Sequence, residues 1–167
     1  MDAIIETSLG TIKIKLFPKN APLTVSNFVE LACGTKKFTD PKTGKKIKKK
    51  FYDGLTFHRV IPEFMIQGGC PLGSGKGGAG YNLEDEIDPS LKFDKPGMLA
   101  MANIGPNTSG SQFFITETAI PWLNYTNTIF GQVKEGLDIV KKIARVEVNF
   151  SDKPKHPVII KTITIQQ

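Results

Sequence analysis

The chain holds only two cysteines, two histidines and one tryptophan in 167 residues, and it has no long apolar run. Each scarcity removes a class of function. Cys33 and Cys70 are too few for a disulfide framework and stand in no CxxC pair, so they read as plain thiols without a redox role. His58 and His156 lie far apart with no second His or Cys at ligand spacing, which leaves no dedicated metal site. No stretch approaches the roughly 18 consecutive apolar residues of a membrane helix. The opening MDAIIETSLGTIKIKLF also lacks the basic and apolar regions of a signal peptide. A cytoplasmic protein without membrane contact is expected.

What is present is ordinary for a soluble globular chain: 40% hydrophobic and 23% charged residues. The length suits one domain over residues 1–167, large enough to bury a core. The net charge of +6 is unevenly spread. Residues 36–50 carry eight of the 22 basic residues against one acid, Asp40, for a local +7, leaving 14 basic against 15 acidic residues elsewhere, or −1. The basicity belongs to one loop.

Ile12, Ile14 and Leu16 alternate with Lys13 and Lys15, the period of a strand with one buried face, and Ser8-Leu9-Gly10 supplies a turn before it. Over residues 21–33 the period becomes helical: Val25, Phe28, Val29 and Ala32 share a face, Asn20 is the candidate cap, Pro22 suits the first turn and Gly34 the stop. Strand-like runs follow over 55–61, 64–67, 97–102, 112–117 and 128–133. A second amphipathic helix fits 136–145, and 158–165 closes the chain as a strand. Many short strands with two helices indicate an α+β or barrel-type β protein, and periodicity alone does not separate a barrel from a sandwich.

Three segments invite chemistry that their details refuse. GGCPLGSGKGGAG at 68–80 has seven glycines, but Gly77 follows Lys76 where a phosphate-binding loop needs Ser or Thr, and no helix follows. A mobile surface loop, or backbone passing close to a ligand, suits it better. Glu84, Asp85, Glu86 and Asp88 lack calcium-loop spacing and read as solvated charges. Sequons at Asn107, Asn124 and Asn149 matter only in a secreted protein.

The informative run is Tyr52 to Gly69. On a strand, Phe57, Arg59 and Ile61 project to one side and His58 and Val60 to the other; a Pro62-Glu63 turn then leads to Phe64, Met65 and Gln67. A lone arginine on a strand is more often a salt-bridge partner or a snorkelling side chain, so the residues alone leave Arg59 as a candidate only.

Here the sequence resembles the cyclophilin family. F-H-R-V-I-x-x-F-M-x-Q-G-G stands at 57–69 and M-A-N-x-G-P-N-T-x-G-S-Q-F-F-I at 101–115; Trp122-Leu123 and F-G-x-V-x-E-G at 130–136 follow in order. The resemblance spans nearly the whole chain. It implies a mostly β fold, a closed eight-stranded antiparallel β-barrel capped by two α-helices, and prolyl peptide-bond isomerisation in protein folding with no cofactor. By the same resemblance Arg59 is catalytic with Gln67 beside it, Phe64, Met65, Phe114 and Leu123 form the proline pocket, the backbone of Asn103 binds the substrate chain, and Ala102, Gln112, Trp122 and Asn127 belong to the rest of the substrate groove. Asn127 stands where the family commonly has His, and Ile104 where it commonly has Ala.

The implied partners are proline-containing peptides and unfolded proteins, with a cyclosporin-type inhibitor in the same groove, and the implied state is a monomer. Two rival functions remain: a non-catalytic proline-peptide module, against which Arg59 stands, and a nucleic-acid or ribosome contact through residues 36–50, whose affinity would fall steeply with salt.

Overall fold

The computed structural model describes residues 1–167. The first hairpin pairs β1 (Asp2–Thr7) with β2 (Gly10–Leu16), and α1 (Pro22–Cys33) follows. A two-residue pair, β3 (Phe38–Thr39) and β4 (Lys46–Ile47), sits within the basic segment. Next come β5 (Arg59–Ile61), β6 (Met65–Gly68), β7 (Met98–Met101), β8 (Phe113–Thr116), a 3₁₀ turn (Pro121–Leu123), β9 (Ile129–Glu135), α2 (Leu137–Ala144) and β10 (Ile160–Gln166). No helix is long and apolar enough to cross a membrane.

Eight strands form one antiparallel sheet in the order β10-β1-β2-β9-β7-β8-β6-β5. The eight strands and two helices agree with expectation, but full closure does not. The ladder ends at β5 and β10, so the sheet is a curled half-barrel. Only the isolated bridge Thr56↔Ile159 and a few backbone bonds, such as Phe57 N–H to Val158 O at 3.0 Å, cross the seam. The reason is local. The free edge of β5 is taken by a loop, with Val60 N–H donating to Asp152 O at 2.9 Å, so β10 has no ladder to join there.

Inside the curl lies a core of 28 buried residues, including Ile5, Ile12, Phe28, Phe57, Phe113 and Phe130. Helix α1 packs against β10, and α2 against β2, β5 and β6. Phe28 makes ring contacts with Tyr52, Phe113 and Phe130 at centroid distances of 5.3, 5.6 and 5.3 Å, tying α1 into the sheet. Burying side chains of this size stabilises by roughly 1.5–3 kcal/mol each.

Helix α1 corrects two readings of the sequence. Its cap residue is Ala21, and Asn20 instead donates its side-chain amide to Asp88 Oδ2 at 2.7 Å. The free amides of the first turn, Leu23 and Thr24, donate to the Glu86 carboxylate at 3.1 and 2.7 Å. A carboxylate there satisfies orphan donors and complements the positive end of the helix dipole. Asp85 accepts from Asn107 N–H at 3.0 Å. The acids at 85–88 are thus structural rather than merely solvated. Helix α1 stops at Gly34, whose φ of 77° is left-handed and where an added Cβ would press on the backbone of Lys49 and Lys50.

The strand expected over 55–61 is regular only from Arg59 to Ile61. Phe57 and Val60 both enter the core, so Phe57 does not share a side with Arg59 as strict alternation requires. An irregular start at 55–58 shifts the pleat and leaves Arg59 facing outward.

Candidate functional site

From β6 onward the alternation is clean, and it builds the site. In β6, Ile66 points into the core while Met65 and Gln67 point out; in β8, Phe113 and Ile115 point in while Phe114 points out. Register then aligns the outward residues across strands: Arg59 pairs with Gln67, Gln67 with Phe114, and Phe114 with Ala100. A cation, an amide, an aromatic ring and a small residue therefore lie in one row on the outer face.

A second cluster of seven buried residues covers part of this face: Met65, Phe93, Met98, Ala100, Phe114, Ile120 and Ile129. Phe93 stacks on Phe114 with centroids 5.8 Å apart. Beyond its edge the face opens into a cavity of about 310 Å³ lined by Arg59, Phe64, Met65, Gln67, Ala102, Asn103, Phe114, Leu123 and Asn127. Nine of the eleven residues expected at the site meet there. Gln112 lies in an adjoining cavity of about 450 Å³ that shares Gln67, Ala102 and Asn103. Trp122 does not line either; it is 67% exposed at the rim, its ring 6.2 Å from that of Phe64.

A relay of amides fixes the polar edge. Arg59 Nη1 donates to Gln67 Oε1 at 3.3 Å, Gln67 Nε2 donates to Gln112 Oε1 at 3.0 Å, and Gln112 Nε2 donates to Gly75 O and Gly77 O, both at 2.9 Å. The glycine-rich loop is pinned further by Cys70 Sγ, which accepts from Gly75 and Gly77 N–H at 3.3 Å each. That loop is a built wall of the adjoining cavity. The opposite wall is equally held: Asn103 Nδ2 donates to Thr126 O and Asn127 Nδ2 to Met101 O, each at 2.9 Å.

Sequence reasoning missed Glu117. It is buried, accepts from Glu63 N–H at 2.6 Å, and is paired with Arg145. Glu63 has a left-handed φ of 61°, so the carboxylate secures the turn that delivers Phe64 and Met65. The arginine partner lies 28 residues away in sequence, which no local motif discloses.

The family model described as "Cyclophilin type peptidyl-prolyl cis-trans isomerase/CLD" matches residues 3–165. This chain belongs to that family. Among cyclophilin relatives, peptidyl-prolyl cis-trans isomerase A of Mycobacterium tuberculosis is 51% identical over 165 residues, 98% of this chain and 91% of that protein. Peptidyl-prolyl cis-trans isomerase B of Streptomyces anulatus is 48% identical over 167 residues, covering 98% and 95%. A solved Cryptosporidium parvum cyclophilin, crystallised in the presence of the dipeptide Ala-Pro, superposes with a TM-score of 0.86 at 37% identity over 100% of this chain and 99% of that one.

Proposed function

We propose that Arg59 speeds the rotation of prolyl peptide bonds by donating a hydrogen bond to the prolyl nitrogen as the bond twists, with the ring seated against Phe64, Met65, Phe114 and Leu123. The chain is a cyclophilin-type peptidyl-prolyl cis-trans isomerase, and the question its geometry addresses is how. The barrier of about 18–20 kcal/mol comes from amide resonance. In the twisted transition state the nitrogen regains a localised lone pair, so a fixed cationic donor stabilises that state more than either planar one. The twisted amide is also less dipolar, which an apolar pocket favours. No bond breaks, so neither nucleophile nor cofactor enters this scheme.

The observation that carries the reading is the guanidinium of Arg59, held by Gln67 at the edge of a cavity to which Phe64, Met65, Phe114 and Leu123 give an apolar wall. Ala102, Asn103, Gln112 and Asn127 sit where they could hold the flanking chain while the bond turns. Proline-containing segments of unfolded proteins are the substrates in this reading, and a cyclosporin-type cyclic peptide is a competitor for the same groove. A cytoplasmic monomer completes it; the free thiols of Cys33 and Cys70 suit a reducing compartment.

NMR exchange on Ala-Pro peptides tests the reading, with the emission of Trp122 recorded as cyclosporin is added. Catalysed exchange, and inhibition over the same concentration range as the change in emission, are expected. Exchange no faster than in buffer would sink the mechanism, whereas inhibition without an emission change would remove Trp122 from the groove.

A further inference from the structure

A third cavity, of about 300 Å³, adjoins the other two and shares Arg59 and Gln67 with the apolar one. Its character is the reverse. No apolar side chain lines it; Arg59, Lys76 and Lys153 bring three cations, Ser74 and Ser151 two hydroxyls, and His58 an imidazole. No acid lines it, and none of the three cations has an ion-pair partner. Asp152, between Ser151 and Lys153 in the chain, is not part of the wall.

His58 stands in the wall of this cavity. It is 6% exposed, and its Nδ1 is buried without any hydrogen-bond partner. Burial, then the charges of Lys153 and Arg59, lower its pKa to about 4, so the ring is neutral at physiological pH. Buried polar atoms left unpaired are rare and call for an explanation. Three cations without ion-pair partners, lining one pocket together with two hydroxyls and a neutral imidazole, form an arrangement that an anion would complete.

We propose that this cavity is an anion subsite, and that its occupant is a carboxylate or phosphate on a substrate side chain close to the proline. The inference rests on the proline ring occupying the apolar cavity: because the two cavities share Arg59 and Gln67, a chain in one passes within one or two residues of the other at roughly 3.3–3.6 Å per residue. Phosphoserine is the better fit of the two, since its charge near −2 and three acceptor oxygens match three cations and two hydroxyls.

The test compares X-Pro peptides carrying Ser, Glu or phosphoserine on either side of the proline, assayed by NMR exchange at low ionic strength with wild type and a Lys76→Met/Lys153→Met double variant. Wild type is expected to favour phosphoserine over Ser by about threefold to tenfold in kcat/KM, with Glu between, and the ratio in the double variant to fall to near one. A ratio near one in wild type, or one unchanged in the double variant, overturns a substrate side chain as the occupant. A second readout is independent of catalysis: inorganic phosphate should raise the titration midpoint of His58, followed by ring-proton NMR, in wild type and not in the double variant. No rise overturns the subsite, and a rise without any peptide preference overturns the substrate side chain as its occupant. Failure to catalyse any of the peptides would strike the Arg59 mechanism alone, because the phosphate titration still decides the subsite.

Discussion

The inner and outer faces of β6 and β8 are made from adjacent residues, yet they differ in kind. Inward, Ile66, Phe113 and Ile115 are wholly buried in the 28-residue core, and Phe113 meets the rings of Phe28, Tyr52 and Phe57 at 5.6, 5.6 and 6.0 Å. Outward, Met65 and Phe114 are covered on one side by Phe93 and Ile120 and left open on the other to a cavity. One face has no space to give, and the other keeps space for a ligand. The close-packed face holds strand register, and register places Arg59, Gln67 and Phe114 in line. Stability and function are thereby divided between the two sides of the same strands.

That division is broken most severely from inside. Phe113→Ala should cost about 3–5 kcal/mol in stability, read by denaturant unfolding, because it leaves a void among three rings. Its neighbour Phe114→Ala should cost less, about 2–3 kcal/mol, while kcat/KM on X-Pro peptides falls about tenfold or more, since the lost ring lines the pocket. Equal effects of the two variants on both readouts would erase the distinction between faces.

His58 gives a smaller, pH-dependent probe at the seam between them. Its folded pKa is lowered to about 4 from an ordinary 6.5, so between those values the unfolded chain binds more protons and stability falls as the solution is acidified. The contribution is fully present above pH 6.5 and lost as pH approaches 4. His58→Gln should flatten this decline by roughly 1–2 kcal/mol, measured as unfolding free energy at pH 7 and pH 4.5. An identical decline in the variant would mean that His58 is not held neutral.

The smallest effect belongs to the basic segment. Lys36 is already engaged, donating to Asn27 Oδ1 at 3.1 Å and lying 4.6 Å from the centre of the Tyr81 ring, whereas Lys45, Lys46, Lys48, Lys49 and Lys50 make no ion pair. Changing those five to Gln should leave kcat/KM on short peptides within about twofold, because exposed charges beyond a Debye length of roughly 8 Å are screened. A larger loss would join this segment to the groove.

The parts legible in the sequence were those governed by local periodicity or by a long motif. Both helices, the opening hairpin and the six further strands of the main sheet follow from spacing, and the row of outward residues on β6 and β8 follows from period two once the inward side is known. What stayed hidden depends on distant contacts. Glu86 caps α1 from more than 60 residues away, so the sequence offered the adjacent Asn20 instead. The open seam arises because a loop at Asp152 occupies the edge of β5, and the irregular start at Phe57 breaks an alternation that looked unbroken on paper. The motif groups Trp122 with the groove, whereas the 3₁₀ turn carries it to the rim.

The most direct measurement is kcat/KM for Arg59→Ala by NMR exchange on X-Pro peptides, taken beside its unfolding midpoint. Arg59 is exposed, contributes nothing to either buried cluster, and bonds only to Gln67 through its side chain. The account predicts an unfolding midpoint within about 2 °C of wild type, as for a surface substitution, and a drop in kcat/KM on the order of 10² to 10³. A stably folded variant retaining more than about a third of wild-type activity, a loss far below that of one preorganised donor, would contradict it.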